Sequence, residues 1–162
     1  MIKKIAIITG HAGAIGSAMC KTFASNGYFV VGIDQIKAKT VDHEAIYDLC
    51  ELANNDKLKQ SLKHELHGLI QPNDKITLIN NAAVQIVKNF DQLKAVDLNR
   101  SLSVNCISAF TIVKILHEIA KEQLTTLINI SSIHSTLSKK NFLAYAVSKS
   151  ALSGLTRSLS IE

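Results

Sequence analysis

A chain of 162 residues that is 47% apolar is long enough for a single well-cored domain over 1–162, because a fold of this size buries roughly 68–70% of the surface its unfolded chain exposes. The formal charge of +5 is spread along the chain, as at Lys57, Lys59 and Lys63, and only 5% of residues are aromatic, with no tryptophan; charges without blocks and little to stack on bases argue against a nucleic-acid partner. No apolar run approaches the roughly 20 residues of a membrane helix, so neither a membrane partner nor a signal segment is expected, and the expected setting is the cytoplasm.

Ile2 to Thr9 is an apolar, β-branched run closed by Gly10, the pattern of a strand covered on both faces of a parallel sheet. Helical periodicity follows at Ile15, Ala18, Met19 and Phe23, with Gly27 as a stop. The next run, Tyr28 to Ile33, ends in Asp34, which completes a strand, turn, helix and strand. Ala45 to Tyr47 predicts a short third strand, reached by a connection too short for a full crossover helix. The lysine-bearing stretch from Asn55 to Leu69 predicts a helix, and Pro72 lies in a loop. Ile76 to Ile79 and Leu127 to Ile130 predict two more buried strands around a long helix from about Leu98 to Lys121. A last helix carries Tyr145, with Leu152, Leu155 and Leu159 at the spacing of a buried stripe. This alternation predicts a Rossmann-like, doubly wound parallel α/β sheet. Cys20, Cys50 and Cys106 lack metal-ligand spacing, so they are expected to be reduced, buried and structural, with no metal site.

Gly10, Gly13 and Gly16 stand at the first strand-to-helix junction, with Ile15 beside them. Glycines there let the backbone turn tightly and bring amides and the positive helix end against a pyrophosphate. Asp34 follows eighteen residues after Gly16, where a carboxylate accepts from both adenosine ribose hydroxyls and repels a 2′-phosphate; that favours NAD over NADP. Close helix packing and a plain turn acid are the alternative for these residues. Asp48 and Leu49 follow the third strand, where the acid either accepts from an adenine amino group or starts the next helix. Asn80-Asn81-Ala82-Ala83 follows the fourth strand, and the small residues Ala82 and Ala83 beside Asn81 allow close backbone approach.

Tyr145 and Lys149 are four apart, on one helix face, thirteen and seventeen residues after Ser132. A phenol releases its proton near pH ~10, and an ammonium about 4 Å away at an effective dielectric near 20 supplies roughly 4 kcal/mol, or about 3 pH units. One positioned lysine is sufficient in principle. Ser132 ends a strand that runs into the same cleft, where a hydroxyl can stabilise charge on a substrate oxygen. Taken singly, Ser132 is a strand-end serine, Asn105 a polar helix residue, Tyr145 a core-edge residue, and His134 a loop histidine near the substrate mouth.

Along its whole length the chain resembles the short-chain dehydrogenase/reductase family, on Thr9 to Gly16, Asn80 to Ala83, Asn105, Ser132, and Tyr145 with Lys149. The resemblance implies hydride transfer between a nicotinamide and a small carbonyl or secondary alcohol. It implies Tyr145 as acid or base, Lys149 as its activator and a contact to the nicotinamide ribose, Ser132 as the polariser of the substrate oxygen, and Asn105 as the holder of a water relay. It further implies a homo-oligomer built on the two longest helices. Ala14 and Ala83 stand where the single-domain branch usually has glycine. The spacing Thr9-Gly10-x-x-Gly13-x-x-Gly16 also fits the extended branch of sugar-nucleotide epimerases and dehydratases. Two further strands of the family fold have no counterpart before Glu162, which predicts an exposed edge at the strand Leu127 to Ile130. It also leaves open a dinucleotide-binding fragment without catalysis.

Overall fold

Five strands form one parallel sheet in the computed structural model, which describes residues 2–162. They are β1 (Lys4–Thr9), β2 (Phe29–Asp34), β3 (His43–Ile46), β4 (Lys75–Asn80) and β5 (Leu124–Asn129), in the order β3-β2-β1-β4-β5. Ile5, Ala6, Ile7 and Ile8 are all fully buried, because alternate residues of a central strand face opposite helix layers. Ile5 and Ile7 pack with Leu52, Leu62, Leu66, Ile112 and Leu116. Ala6 and Ile8 join a smaller cluster with Cys20, Val30 and Ile79. The direction of strand addition reverses between β1 and β4, and a crevice opens where their C-terminal ends part.

The helices are α1 (Ala14–Ser25), α2 (Leu49–Asn54), α3 (Asp56–Leu69), α4 (Ala95–Leu102), α5 (Ser108–Ala120) and α6 (Leu143–Leu159). The helix expected from Asn55 to Leu69 is present as α3, and a short helix that was not expected, α2, precedes it. Asp48 caps α2 by accepting from the Cys50 amide at 2.7 Å, and Asn55 ends that helix and caps α3 through the Lys57 and Leu58 amides. Asn55 thus separates the two helices, its side chain capping the second where the first ends.

β5 begins at Leu124, three residues before the expected start, and pairs only with β4. Thr125, Thr126 and Ile128 are exposed on it, so the predicted edge is present but two of its three exposed side chains carry hydroxyls. α4 and α5 are joined by a single π-turn, Ser103–Ile107. The resulting helix of 26 residues is long and apolar enough, by length and composition, to cross a membrane, which corrects the expectation that no stretch would qualify. Counting uninterrupted apolar runs missed it because Asp97, Asn99 and Arg100 interrupt the first turns. More than half of the apolar window, 56%, is buried within the fold, where it packs on α2, α3 and the sheet.

The cysteines also differ from expectation. All three are free, but only Cys20 is buried, while Cys50 and Cys106 are partly exposed. Burial raises the thiol pKa of both Cys20 and Cys106.

The link from β2 to β3, residues 35–42, contains no helix. It is short because β3 starts opposite Val31, part-way along β2. Side chains replace the missing crossover contacts: Asp42 accepts from the Val30 amide at 2.7 Å, and Glu44 accepts from the amides of Ala38 and Lys39.

Candidate active site

The glycine turn leaves β1 through Gly10, whose φ of +69° lies in the left-handed region. A Cβ on Gly10 would come within 2.8 Å of Ala82 Cα, and one on Gly16 would collide with the Gly10 carbonyl. Gly16 therefore lets α1 approach the turn, whereas Gly13 has space, its nearest neighbour being Gly10 O at 3.4 Å. Thr9 and Asn81 stitch the turn to the end of β4. Thr9 Oγ1 accepts from the Asn81 and Ala82 amides at 3.0 Å each, and Asn81 Nδ2 donates to the carbonyls of Thr9 and Gly10.

These elements frame a cavity of about 580 Å³ in the crevice between β1 and β4. Gly10, Gly13, Ile15, Gly16, Asp34, Asp48, Leu49, Asn81 and Ala82 line it, whereas Tyr145 and Lys149, also expected to meet the dinucleotide, do not. The first amides of α1 border the same space, and they have no partner inside the helix. Asp34 Oδ2 accepts from the Ala12 amide at 3.1 Å and Oδ1 from the Ile36 amide at 3.3 Å. Its carboxylate is thereby held between the turn and the β2–β3 link. Asp48 both caps α2 and forms part of the wall, so the helix-start reading is what its side chain does.

The sequence reading missed Tyr47, Arg100 and Val104 in this lining. Arg100 and Val104 reach the wall from the long helix, and Tyr47 from the end of β3. No local motif marks any of them.

Tyr145, Lys149 and Ser132 stand outside the lining of the cavity. The helix that carries Tyr145 and Lys149 is connected to it through Asn105, which lies in the π-turn and is 2% exposed. Asn105 Oδ1 accepts from the Val84 amide at 2.7 Å, while its Nδ2 donates to Val84 O at 2.9 Å and to Ser148 Oγ at 2.8 Å. Both of its amide hydrogens are thus engaged.

Lys149 is 2% exposed, the largest of the fully buried side chains. Its Nζ donates to Ile130 O at 2.7 Å and lies 5.9 Å from the centroid of the Tyr145 ring. Burial lowers its pKa, since the charged form loses solvation. One of its three N–H bonds is occupied by Ile130, leaving two. The Tyr145 ring stands edge-on to His134 and Phe142, with centroids 6.2 and 6.4 Å away. His134 Nδ1 lies 3.0 Å from Leu137 O, so this histidine packs the loop beside Tyr145. Ser132 Oγ accepts from the His134 amide at 3.2 Å and caps the short 3-10 turn Ile133–Ser135.

A Rossmann-like sheet with its cavity at the reversal point defines the class, and the short chain dehydrogenase family model matches residues 4–162. The chain belongs to that family. It is 27% identical over 173 residues to an NAD-dependent glycerol dehydrogenase of Listeria innocua, covering 98% of this chain and 64% of the relative. It is 28% identical over 170 residues to a D-beta-hydroxybutyrate dehydrogenase of Rhizobium meliloti, covering 98% and 65%. The chain therefore spans just under two thirds of the length of these relatives. A 4-hydroxyisoleucine dehydrogenase, solved as a complex with NADH and succinate, shares the fold with a TM-score of 0.82 at 22% identity over 96% of this chain and 72% of that one.

Proposed function

We propose that the protein is an NAD-dependent oxidoreductase that transfers a hydride between a nicotinamide and a small carbonyl compound or secondary alcohol. The observation that carries this reading is the cavity in which the glycine turn, the first turn of α1 and Asp34 meet, together with a buried Lys149 whose Nζ lies 5.9 Å from the Tyr145 ring centroid. The residues fit a dinucleotide: Gly10 and Gly16 permit the close backbone approach that brings the start of α1 to the cavity, and the amides of α1 suit a pyrophosphate. The Asp34 carboxylate suits two ribose hydroxyls and disfavours a 2′-phosphate. The stated NAD dependence of the Listeria relative supports the same choice.

The bound cofactor would supply the hydride chemistry. Tyr145 would give its hydroxyl proton to the substrate oxygen or take one from it, and Lys149 would favour the phenolate through its charge and orient the ribose with its two remaining donors. The Ser132 hydroxyl would donate to the same substrate oxygen. Val96, Phe110 and Val147 are exposed on the long helix and α6, which supports a homo-oligomer through those helices. The three free thiols suit a reducing, cytoplasmic setting.

The test is NADH oxidation across a panel of small carbonyls. Tyr145→Phe is expected to lower turnover by about 10²–10⁴-fold while NADH binding stays within about twofold. Wild-type turnover in that variant would overturn the assignment. A second reading is a module that binds a dinucleotide without turnover. It is favoured by the cavity reaching Val84 and Val104 but not Tyr145. Calorimetric binding of NADH with no turnover on any panel member would select it.

A further inference from the structure

We infer that His11 and Glu44 are positioning residues for the adenosine end of the dinucleotide, and that their contact sets how strictly NAD is preferred to NADP. The inference rests on the dinucleotide reading above and extends it to two residues outside the cavity lining. His11 follows Gly10 in the glycine turn, yet its side chain is fully buried, under β2 rather than toward the cavity. Its ring lies against Gly32, where a Cβ would come within 2.6 Å of Cδ2. Nε2 is 3.1 Å from Glu44 Oε1, and Nδ1 has no partner. The ring therefore has one polar attachment, and it is to Glu44.

That carboxylate oxygen also accepts from the Ala38 amide at 2.6 Å and the Lys39 amide at 2.7 Å. Lys39 is held at φ +52°, a conformation uncommon outside glycine. Three donors on one oxygen thus join the phosphate-binding turn to residues 38 and 39. The segment just before them contributes Gln35 and Ile36 to the cavity wall, and Asp34 precedes it. Ala12 is tied to Asp34 from above, and His11 to Glu44 from below. With both ties in place the wall cannot move away from the turn independently of it. Removing Glu44 takes the acceptor from both amides, and removing His11 leaves that carboxylate bound to them but no longer anchored to the turn; either way the segment that closes on the ribose 2′ position is released.

The experiment measures binding of ADP-ribose, NADH and NADPH by calorimetry to the wild type, His11→Ala, His11→Gln and Glu44→Ala. In both alanine variants ADP-ribose is expected to bind about tenfold more weakly, and the preference for NADH over NADPH to shrink by about the same factor, as for loss of one hydrogen bond to a charged group. The amides of Ala38 and Lys39 should exchange faster while those of β1 do not. His11→Gln, which can place a donor near the same carboxylate, is expected to recover affinity and preference to within about threefold of wild type. Folded alanine variants that keep wild-type affinity and discrimination overturn the inference and leave the dinucleotide reading standing. A wild type that binds none of the three ligands overturns that reading, and the inference with it. Should the alanine variants not fold, His11→Asn keeps a polar amide too short to reach Glu44; it is expected to show the full loss, and wild-type discrimination in it overturns the inference.

Discussion

Asn105 and Val84 close a two-bond ring, the side-chain amide of one pairing with the main-chain amide and carbonyl of the other at 2.7 and 2.9 Å. The second Nδ2 hydrogen reaches Ser148 on α6 at 2.8 Å. One buried side chain thereby joins the π-turn, the segment after β4 and the helix that carries Tyr145 and Lys149.

Asn105→Leu leaves these partners without a mate, at about 1–3 kcal/mol for each buried group not rescued by water. We expect a stability loss of at least about 2 kcal/mol in urea, together with weaker NADH binding because Val84 borders the cavity. Unchanged stability would mean that Val84 finds solvent in the variant.

Lys149→Met is expected to abolish turnover without an equal loss of stability. Burial lowers the Lys149 pKa, so at pH values below the lowered one both states carry the proton and the penalty for burying the charge is fully present. As pH rises from the lowered value toward the ordinary ~10.4, the unfolded chain keeps the proton and the folded chain releases it, so folded stability rises. Wild-type stability measured relative to Lys149→Met should therefore increase with pH across that window in parallel urea titrations. A flat difference would contradict it.

Glu44 is held down to about 2, first by the Ala38 amide and then by His11 and the Lys39 amide. Its stabilising contribution is complete above the ordinary carboxylate value of 4.5 and disappears as pH falls through about 2. Glu44→Gln should be less stable than wild type at neutral pH, with the gap closing between about pH 5 and pH 2. Thermal melts across that range read the difference directly.

Gly16→Ala and Gly13→Ala are predicted to part company. The first places a methyl against the Gly10 backbone, which cannot step aside as a flexible side chain would, so a stability loss of about 1–3 kcal/mol and at least tenfold weaker NADH binding are expected. The second meets only ordinary contact at 3.4 Å with φ at −73°, and a change within about 0.5 kcal/mol is expected. Equal effects would show that the turn is shaped by something other than the Gly10–Gly16 approach.

The parallel sheet was readable in the sequence because a strand buried on both faces must be apolar throughout, as Ile5 to Ile8 are. The cavity lining was legible for a similar reason, since Gly10, Gly16 and Asp34 sit at fixed distances within one strand–helix–strand unit. The short helix α2 was harder to read, because its start rests on the side-chain hydrogen bond of Asp48, which periodicity does not record.

What the sequence by itself determined, then, was the set of elements, their order, and a glycine turn followed at close range by an acid. Tertiary structure alone decided that Asn105 engages Val84, that Lys149 rests on Ile130, that Arg100 faces the cavity, and that His11 turns inward to a glutamate 33 residues away. Each of those contacts joins segments separated by tens of residues. Spacing along a chain reports only what a single element or turn brings together, whereas partners across the sheet are chosen by strand order and by the burial that strand order imposes.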